Sequence, residues 1–272
     1  MLNLQRIDKP ETMQEALRLL QQAGEVVLAG GTQLVASRRR GARSAVDLSA
    51  LGLDYIEPDE GSVKIGAMTL LRSVSDSKLL RPSAAGVVAR AAHRTAASVL
   101  RNQATIAGTL IAEPAGVLAV TLLALDASLV VVSSTGETEV GLATYWNDPA
   151  NFHRSIVREI RLSVAALNRR AVLEAVARTP RDKAIVSVCL AANAGGGSVE
   201  QISISLGGVA PTAVRARRAE QLLAGGPLTA DRIAYVADAA ATGLNPESDY
   251  RGSAEYRTEM VRVLVGRLLG TL

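Results

Sequence analysis

Two glycine-bearing segments combine residue types and spacing that suit ligand binding. The first is LAGGTQL, residues 28–34, where a short apolar run stops at Gly30 and Gly31 and a hydroxyl residue follows. The second is LRNQATIAGTL, residues 100–110, which carries two threonines. Glycine in such a turn supplies a positive φ or lets another group approach the backbone. Converging backbone N–H groups bind anions, so the segments suggest an anion site, although a bare Gly-Gly pair is also typical of a plain turn.

Residues that could perform chemistry by themselves are scarce. The chain has two histidines, His93 and His153, and one cysteine, Cys189, which lies in the apolar run IVSVCLA and is interpreted as an inert core thiol. One cysteine permits no internal disulfide and cannot hold an iron–sulfur cluster. Neither the dinucleotide pattern G-x-G-x-x-G nor a P-loop occurs. The sequence predicts no catalytic residue and no metal ligand, which suits a protein whose reactivity belongs to a bound cofactor.

Composition allows a large core and limits the partners. Of the 272 residues, 48% are hydrophobic and 3% aromatic, and the net charge is +4. Much of the positive charge lies in SRRRGAR, residues 37–43, which is either a solvated loop or a patch facing a phosphate or a partner. No nucleic-acid recognition motif accompanies it, so nucleic-acid binding is not expected. We expect no signal peptide, no membrane span and a cytoplasmic location.

The elements that would position the glycine segments follow from local patterns. Thr12 and Glu15 form a capping box before a helix, and Val26–Ala29 predicts a buried strand that runs into the first glycine turn. Residues 84–100 predict one long helix, and residues 141–155 a loop. Further predictions are strands at 45–48, 62–67, 129–133, 185–191 and 199–206, a turn at 54–61, a helix or strand at 120–127, and helices at 217–223, 229–241 and 254–269. The pattern indicates an α+β protein.

Several segments, taken in order, resemble the flavin-binding subunit of molybdenum hydroxylases. These are the relatives of xanthine dehydrogenase and aerobic carbon monoxide dehydrogenase, in which such a chain is the medium subunit. The resemblance covers nearly the whole chain and lies in LAGGTQL at 28–34, IGAMTL at 65–70, LRNQATIAGTL at 100–110, LLALDASLVV at 122–131, LGGVAPTAVRARRAE at 206–220 and SDYRGSAEYR at 248–257.

The resemblance implies a fold and a binding site. It implies an FAD-binding domain of the PCMH type at residues 1–168, with lobes at about 1–55 and 56–168. A smaller domain at 169–272, with a β-sheet packed on helices, would follow. In the family two glycine loops hold the FAD pyrophosphate. Carried over by position, the first loop is Ala29, Gly30, Gly31, Thr32, Gln33 and Leu34, and the second is Thr105, Ile106, Ala107, Gly108 and Thr109.

The resemblance also implies the chemistry of a complex. A large partner subunit would hold molybdopterin and oxidise the substrate, and a small partner subunit would hold iron–sulfur clusters. FAD on this chain would take electrons from those clusters and pass them to an external acceptor. The expected assembly is a dimer of heterotrimers.

The second loop departs from the family pattern. The family usually has two glycines and an asparagine where this chain has Ala107, Gly108 and Thr109, and an aspartate facing the cofactor's sugar where it has Val117. The nearest carboxylate is Glu113. Losing a hydrogen bond to a charged group costs about 1.5–3 kcal/mol, or about ten- to a hundredfold in affinity. The departures predict FAD binding that is weakened or lost, and in the second case a structural or assembly subunit without flavin.

Overall fold

The computed structural model describes residues 4–22, 24–36, 42–179, 182–195, 198–223 and 225–272. The chain forms two compact units, each assembled from separate segments. The first comprises Met1–Val74, Ser98–Ala112 and Ala127–Leu162, and the second Ser75–Ala97, Glu113–Asp126 and Ser163–Leu272.

In its described part, the first unit contains two sheets and several short helices. Its strands are β1 (Arg6–Asp8), β2 (Glu25–Leu28), β3 (Ser44–Asp47), β4 (Ile56–Asp59), β5 (Ser62–Gly66), β6 (Ser128–Ser133), β7 (Gly136–Gly141) and β8 (Ile156–Ser163). Its helices are α1 (Met13–Leu20), α2 (Thr32–Ala36), α3 (Leu71–Asp76), α5 (Ser98–Arg101), α6 (Ile106–Ala112) and α8 (Leu142–Asn147), with a 3-10 turn at Leu48–Ala50. The chain passes from the first unit to the second within helix α3, after Val74, and again at the end of strand β8, after Leu162.

The smaller sheet carries the first glycine segment. Its strand order is β1-β3-β2, with both neighbours parallel to β3. Helix α1 begins as the sequence predicts, because the Thr12 hydroxyl accepts a hydrogen bond from the Glu15 N–H at 3.2 Å. The apolar side of α1, including Leu17 and Leu20, packs with Val46 in one buried cluster. Strand β2 is thereby fixed, and its carboxyl end leads directly into Ala29.

The larger sheet has the order β4-β5-β8-β6-β7. Strands β4 and β5 form an antiparallel hairpin in which Ile56 pairs with Ile65. The predicted turn at 54–61 is therefore wrong over most of its length, since only the tip at Gly61, with φ +72°, turns the chain. Alternating burial along β5 places Val63 and Ile65 in the core, as expected for a sheet with one covered face.

The second unit is a sheet between helices. Its strands are β9 (Arg170–Val176), β10 (Val186–Gly195), β11 (Ser198–Gly207), β12 (Val214–Arg215) and β13 (Gly226–Pro227). They follow the order β12-β11-β10-β9, with β13 paired to β11. Its helices in the described residues are α4 (Val87–Thr95), α7 (Val117–Ala124), α9 (Val164–Leu167), α10 (Arg217–Leu223), α11 (Ala230–Ala241) and α12 (Ala254–Leu269), with a 3-10 turn at Ser83–Gly86.

Two kinds of side chain line the two faces of this sheet. Large apolar residues such as Leu190 and Ile204 pack in one cluster with Val236 of α11 and Leu264 of α12. On the other face the paired residues are small: Ser187 opposite Gly207, Cys189 opposite Ser205, and Ala191 opposite Ser203. Small residues let α7 approach closely, and a Cβ on Gly207 would lie 2.5 Å from the Val120 side chain. Every residue of α7 is buried, which explains why all of them except Thr121 are apolar; the Thr121 hydroxyl donates to the Val117 carbonyl at 2.8 Å.

Two further expectations are wrong. The predicted helix 84–100 is interrupted, because Ala96 is extended at φ −150° and separates α4 from α5. The predicted loop 141–155 begins with helix α8, in which Leu142 is buried. Among the described residues no single helix is long and apolar enough to cross a membrane. Helices α6 and α7 taken together would be long and apolar enough, by length and composition alone.

Candidate FAD-binding loops

The first loop, Ala29–Leu34, runs from the end of β2 into α2, and all six residues are half-buried. Its turn is closed by the Val35 N–H, which donates to the Gly31 carbonyl at 3.0 Å. The N–H groups of Gly30, Gly31 and Thr32 make no hydrogen bond within the part of the chain that the structure describes. Three neighbouring donors are therefore available on a half-exposed turn.

The two glycines of this loop serve different purposes. A Cβ on Gly30 would lie 1.8 Å from the carbonyl oxygen of Gln103 and 3.1 Å from the Cα of Ala104, so this position faces the chain's own backbone. Gly31 has φ +70°, which favours glycine, and among the described residues a Cβ there would contact only Leu28 Cδ1, at 3.4 Å. Gly30 thus permits backbone packing, whereas Gly31 supplies the turn and keeps an open side.

The second loop, Thr105–Thr109, is closed on itself. The Gly108 N–H donates to Thr105 Oγ1 at 3.2 Å. The Thr109 N–H and hydroxyl both donate to the Thr105 carbonyl, at 3.0 and 2.8 Å. Thr105 and Thr109 are buried. The Thr109 hydroxyl is therefore already used inside the loop.

The remaining amides of the second loop join it to the segment 67–69. The Ile106 N–H donates to the Thr69 carbonyl at 2.9 Å, and the Ala107 N–H to the Ala67 carbonyl at 3.3 Å. All four N–H groups from Ile106 to Thr109 are thus occupied within the chain. Ala107 is buried, so its methyl group fills protein interior.

The structure brings the two loops together within the first unit. Gly30 lies against Gln103, and a Cβ on Gly108 would be 3.7 Å from the Ala29 Cβ. The first loop presents three neighbouring N–H groups that are unused within the described residues, whereas four of the five N–H groups of the second loop are occupied. The residues therefore fit a diphosphate held mainly from the side of the first loop, with the second loop as its support. The sequence shows that small residues are needed at this contact. It does not show that N–H groups of the second loop are already hydrogen-bonded within the chain.

Sequence reasoning missed the residues that anchor this support. Thr69 is fully buried, and its hydroxyl donates to the Tyr55 carbonyl at 2.9 Å. The Tyr55 hydroxyl donates to Glu159 at 2.5 Å. Burial, together with this hydrogen bond, raises the pKa of Tyr55 well above its usual range. Thr69 belongs to the segment IGAMTL that carries the family resemblance, and this was the one signal for it.

The other residues that the sequence singles out lie outside the two loops. Cys189 is fully buried, and burial raises the pKa of its thiol to about 12, which agrees with an inert core residue. In the second unit Glu113 pairs with Lys183 at 2.7 Å, and Val117 is buried in α7. No group of His, Cys, Asp and Glu among the described residues could hold a metal ion. Most of the basic segment, residues 37–41, lies outside the described residues.

Sequence comparison defines the class of protein through two successive domains. The family described as "FAD binding domain in molybdopterin dehydrogenase" matches residues 4–165, and "CO dehydrogenase flavoprotein C-terminal domain" matches residues 171–272. The chain belongs to the FAD-binding medium subunits of molybdenum-hydroxylase-type dehydrogenases, which are oxidoreductases. The predicted family and the predicted α+β fold, with its FAD-binding domain and smaller C-terminal domain, are confirmed.

Individual relatives agree over nearly the full length. The chain is 31% identical over 274 residues to the "6-hydroxypseudooxynicotine dehydrogenase complex subunit alpha" of Paenarthrobacter nicotinovorans, covering 95% of this chain and 91% of the relative. It is 29% identical over 265 residues to the "Glyceraldehyde dehydrogenase medium chain" of Sulfolobus acidocaldarius, covering 94% of each. Carbon monoxide dehydrogenase from Hydrogenophaga pseudoflava has a similar structure, with a TM-score of 0.90, 28% identity, and coverage of 98% of this chain and 96% of the other.

Proposed function

We propose that this chain holds FAD on its first glycine loop and transfers electrons within a dehydrogenase complex. The observation that carries the proposal is the set of unused N–H groups at Gly30, Gly31 and Thr32, on a half-exposed turn within the matched FAD-binding domain. The diphosphate of FAD is an anion, and adjacent backbone N–H groups are suited to bind it.

The chain's own residues would bind and orient the cofactor. The donors are the first-loop amides, and the residues beside them are Ala29, Gln33 and Leu34. The second loop, Thr105–Thr109, would fix the first loop from behind. FAD supplies the redox chemistry when bound. No acid or base of this chain takes part in the proposal.

The proposed partners are a large molybdopterin-binding subunit and a small iron–sulfur subunit, in a dimer of heterotrimers located in the cytoplasm. Electrons would pass from the iron–sulfur clusters to FAD and then to an external acceptor. The single cysteine of this chain supports placing the clusters elsewhere. We also propose that the FAD-binding domain ends near residue 168, with lobes at about 1–55 and 56–168.

A titration with FAD tests the binding. The purified chain should quench the fluorescence of added FAD to saturation and take on the visible absorption of bound flavin. Replacing Gly31 by asparagine tests the place of binding, because Asn tolerates positive φ while its side chain would occupy the open side. Equal FAD affinity of Gly31→Asn and the wild type would contradict the assignment of this loop.

A second candidate function rests on the closed second loop. The N–H groups of Ile106 to Thr109 are already hydrogen-bonded within the chain, so a diphosphate loses these four donors. Hydrogen bonds to charged groups contribute about 1.5–3 kcal/mol each. A subunit that keeps the fold and the partners but holds no flavin would have such a loop. A chain that purifies with its partners, stays colourless and does not respond to FAD would support this candidate.

A further inference from the structure

Tyr250 is the most exposed of the large apolar or aromatic side chains in the described residues, at 84%. The chain has few aromatic residues, namely one Trp, five Tyr and one Phe. Covering such a ring with a partner is favourable, because its apolar surface is then removed from water. Its exposure here therefore raises the question of what it contacts.

The turn that carries Tyr250 is held firmly in place. Asp249 and Gly252 exchange backbone hydrogen bonds at 3.1 and 3.2 Å. The Asp249 carboxylate accepts from the N–H of Arg251 at 2.9 Å and from the guanidinium of Arg257 at 2.6 Å. Arg257 is buried and also donates to the carbonyl of Gly208 at 2.9 Å. A rigid turn loses little conformational entropy when it binds.

Two guanidinium groups accompany the exposed ring. The Cζ atoms of Arg178 and Arg251 lie 5.7 and 5.9 Å from the Tyr250 ring centroid, within the range of cation–π attraction. Arg251 binds Asp249 through two nitrogens, at 2.7 and 2.9 Å. The Arg178 side chain is 57% exposed, and its Nε lies 3.6 Å from a carboxylate oxygen of Asp182. Within the described residues the Arg178 guanidinium makes no other ion pair, so it retains donors on its exposed side.

We propose that this Tyr250 turn, formed by Asp249–Gly252 with Arg178 beside it, binds a carboxylate-bearing segment of a partner subunit in the dehydrogenase complex. Tyrosine and arginine are the residues that most often dominate protein interfaces. The ring provides the apolar contact, and the planar Arg178 guanidinium matches a carboxylate. The inference rests on the proposed function, because that function supplies the partner subunits.

The test uses the whole complex with single substitutions in this chain. Complexes carrying Tyr250→Ala should dissociate at concentrations at least tenfold higher than the wild-type complex, as measured by mass photometry on dilution. Arg178→Ala should weaken assembly and reduce its dependence on salt concentration. Tyr235→Ala is the matched control, because Tyr235 lies on α11 and is also exposed, at 59%.

The melting temperature of each isolated variant separates a lost contact from a lost fold, and it should equal that of the wild type. Equal dissociation of Tyr250→Ala and wild-type complexes would overturn the inference. So would self-association of the isolated wild-type chain that Tyr250→Ala abolishes, because the occupant would then be a second copy. A wild-type chain that purifies with no partner subunit would instead count against the proposed function.

Discussion

Replacing Gly30 by alanine should destabilise the chain even when no FAD is present. The new Cβ would lie 1.8 Å from the Gln103 carbonyl oxygen, so the two backbones must separate by roughly 1.5 Å to reach ordinary van der Waals contact. Inserting a methyl group into packed structure costs about 1–3 kcal/mol. For a chain of this size that lowers the melting temperature by about 2–12 °C.

Differential scanning calorimetry of the FAD-free protein measures this effect directly. The control is Gly31→Asn, because Leu28 is the one neighbour of a Cβ at this position in the part of the chain that the structure describes. Asparagine tolerates the left-handed conformation, so we expect a loss of at most about 1 kcal/mol. The two substitutions should therefore separate: Gly30→Ala lowers stability without FAD, and Gly31→Asn mainly lowers FAD affinity. An unchanged melting temperature for FAD-free Gly30→Ala would refute the packing argument.

Three other predictions concern buried or paired groups. Thr105→Val removes the acceptor of the Gly108 N–H and should cost about 1–3 kcal/mol of unfolding free energy in urea, whereas Thr105→Ser keeps that acceptor and should cost only the loss of one buried methyl group, about 0.8 kcal/mol. Because burial raises the pKa of Cys189 to about 12, a thiol reagent at pH 8 should label only the unfolded protein; rapid native labelling would contradict this. Hydrogen bonding to Arg251 lowers the pKa of Asp249, so the stability gained over Asp249→Asn should be full above about pH 4 and should fade as the pH falls further. A pH-independent difference would be inconsistent with that pairing.

Local signals in the sequence predicted elements well where one residue decides the outcome. The Thr12 capping box placed the start of α1 correctly, and the apolar run before Gly30 placed β2 within one residue, although of its residues only Val26 is buried. The two long strands near 185–191 and 199–206 were also found, because alternating apolar residues have period two. These features depend on neighbours in the chain and on burial alone.

Tertiary contacts decided the features that the sequence did not show. Strand β4, with Glu57 and Asp59 exposed, carries the composition of a turn and becomes a strand by pairing with β5. Gly30 and Gly31 have different roles because Gly30 lies against the carbonyl of Gln103, which is far away in the sequence. Likewise, the closed second loop depends on acceptors at Ala67 and Thr69, which lie nearly 40 residues away. No local pattern encodes such partners.

The position of helix α7 in the chain matters for the design of truncated fragments and chimeras. In the chain the helix lies between segments of the first unit, yet it belongs to the second unit, where its buried and mostly apolar surface packs on β10 and β11. A fragment cut near residue 168 would keep α7 and lose the sheet that covers it. Such a truncation should aggregate, and chimeras with relatives should exchange α4 and α7 together with the carboxy-terminal half.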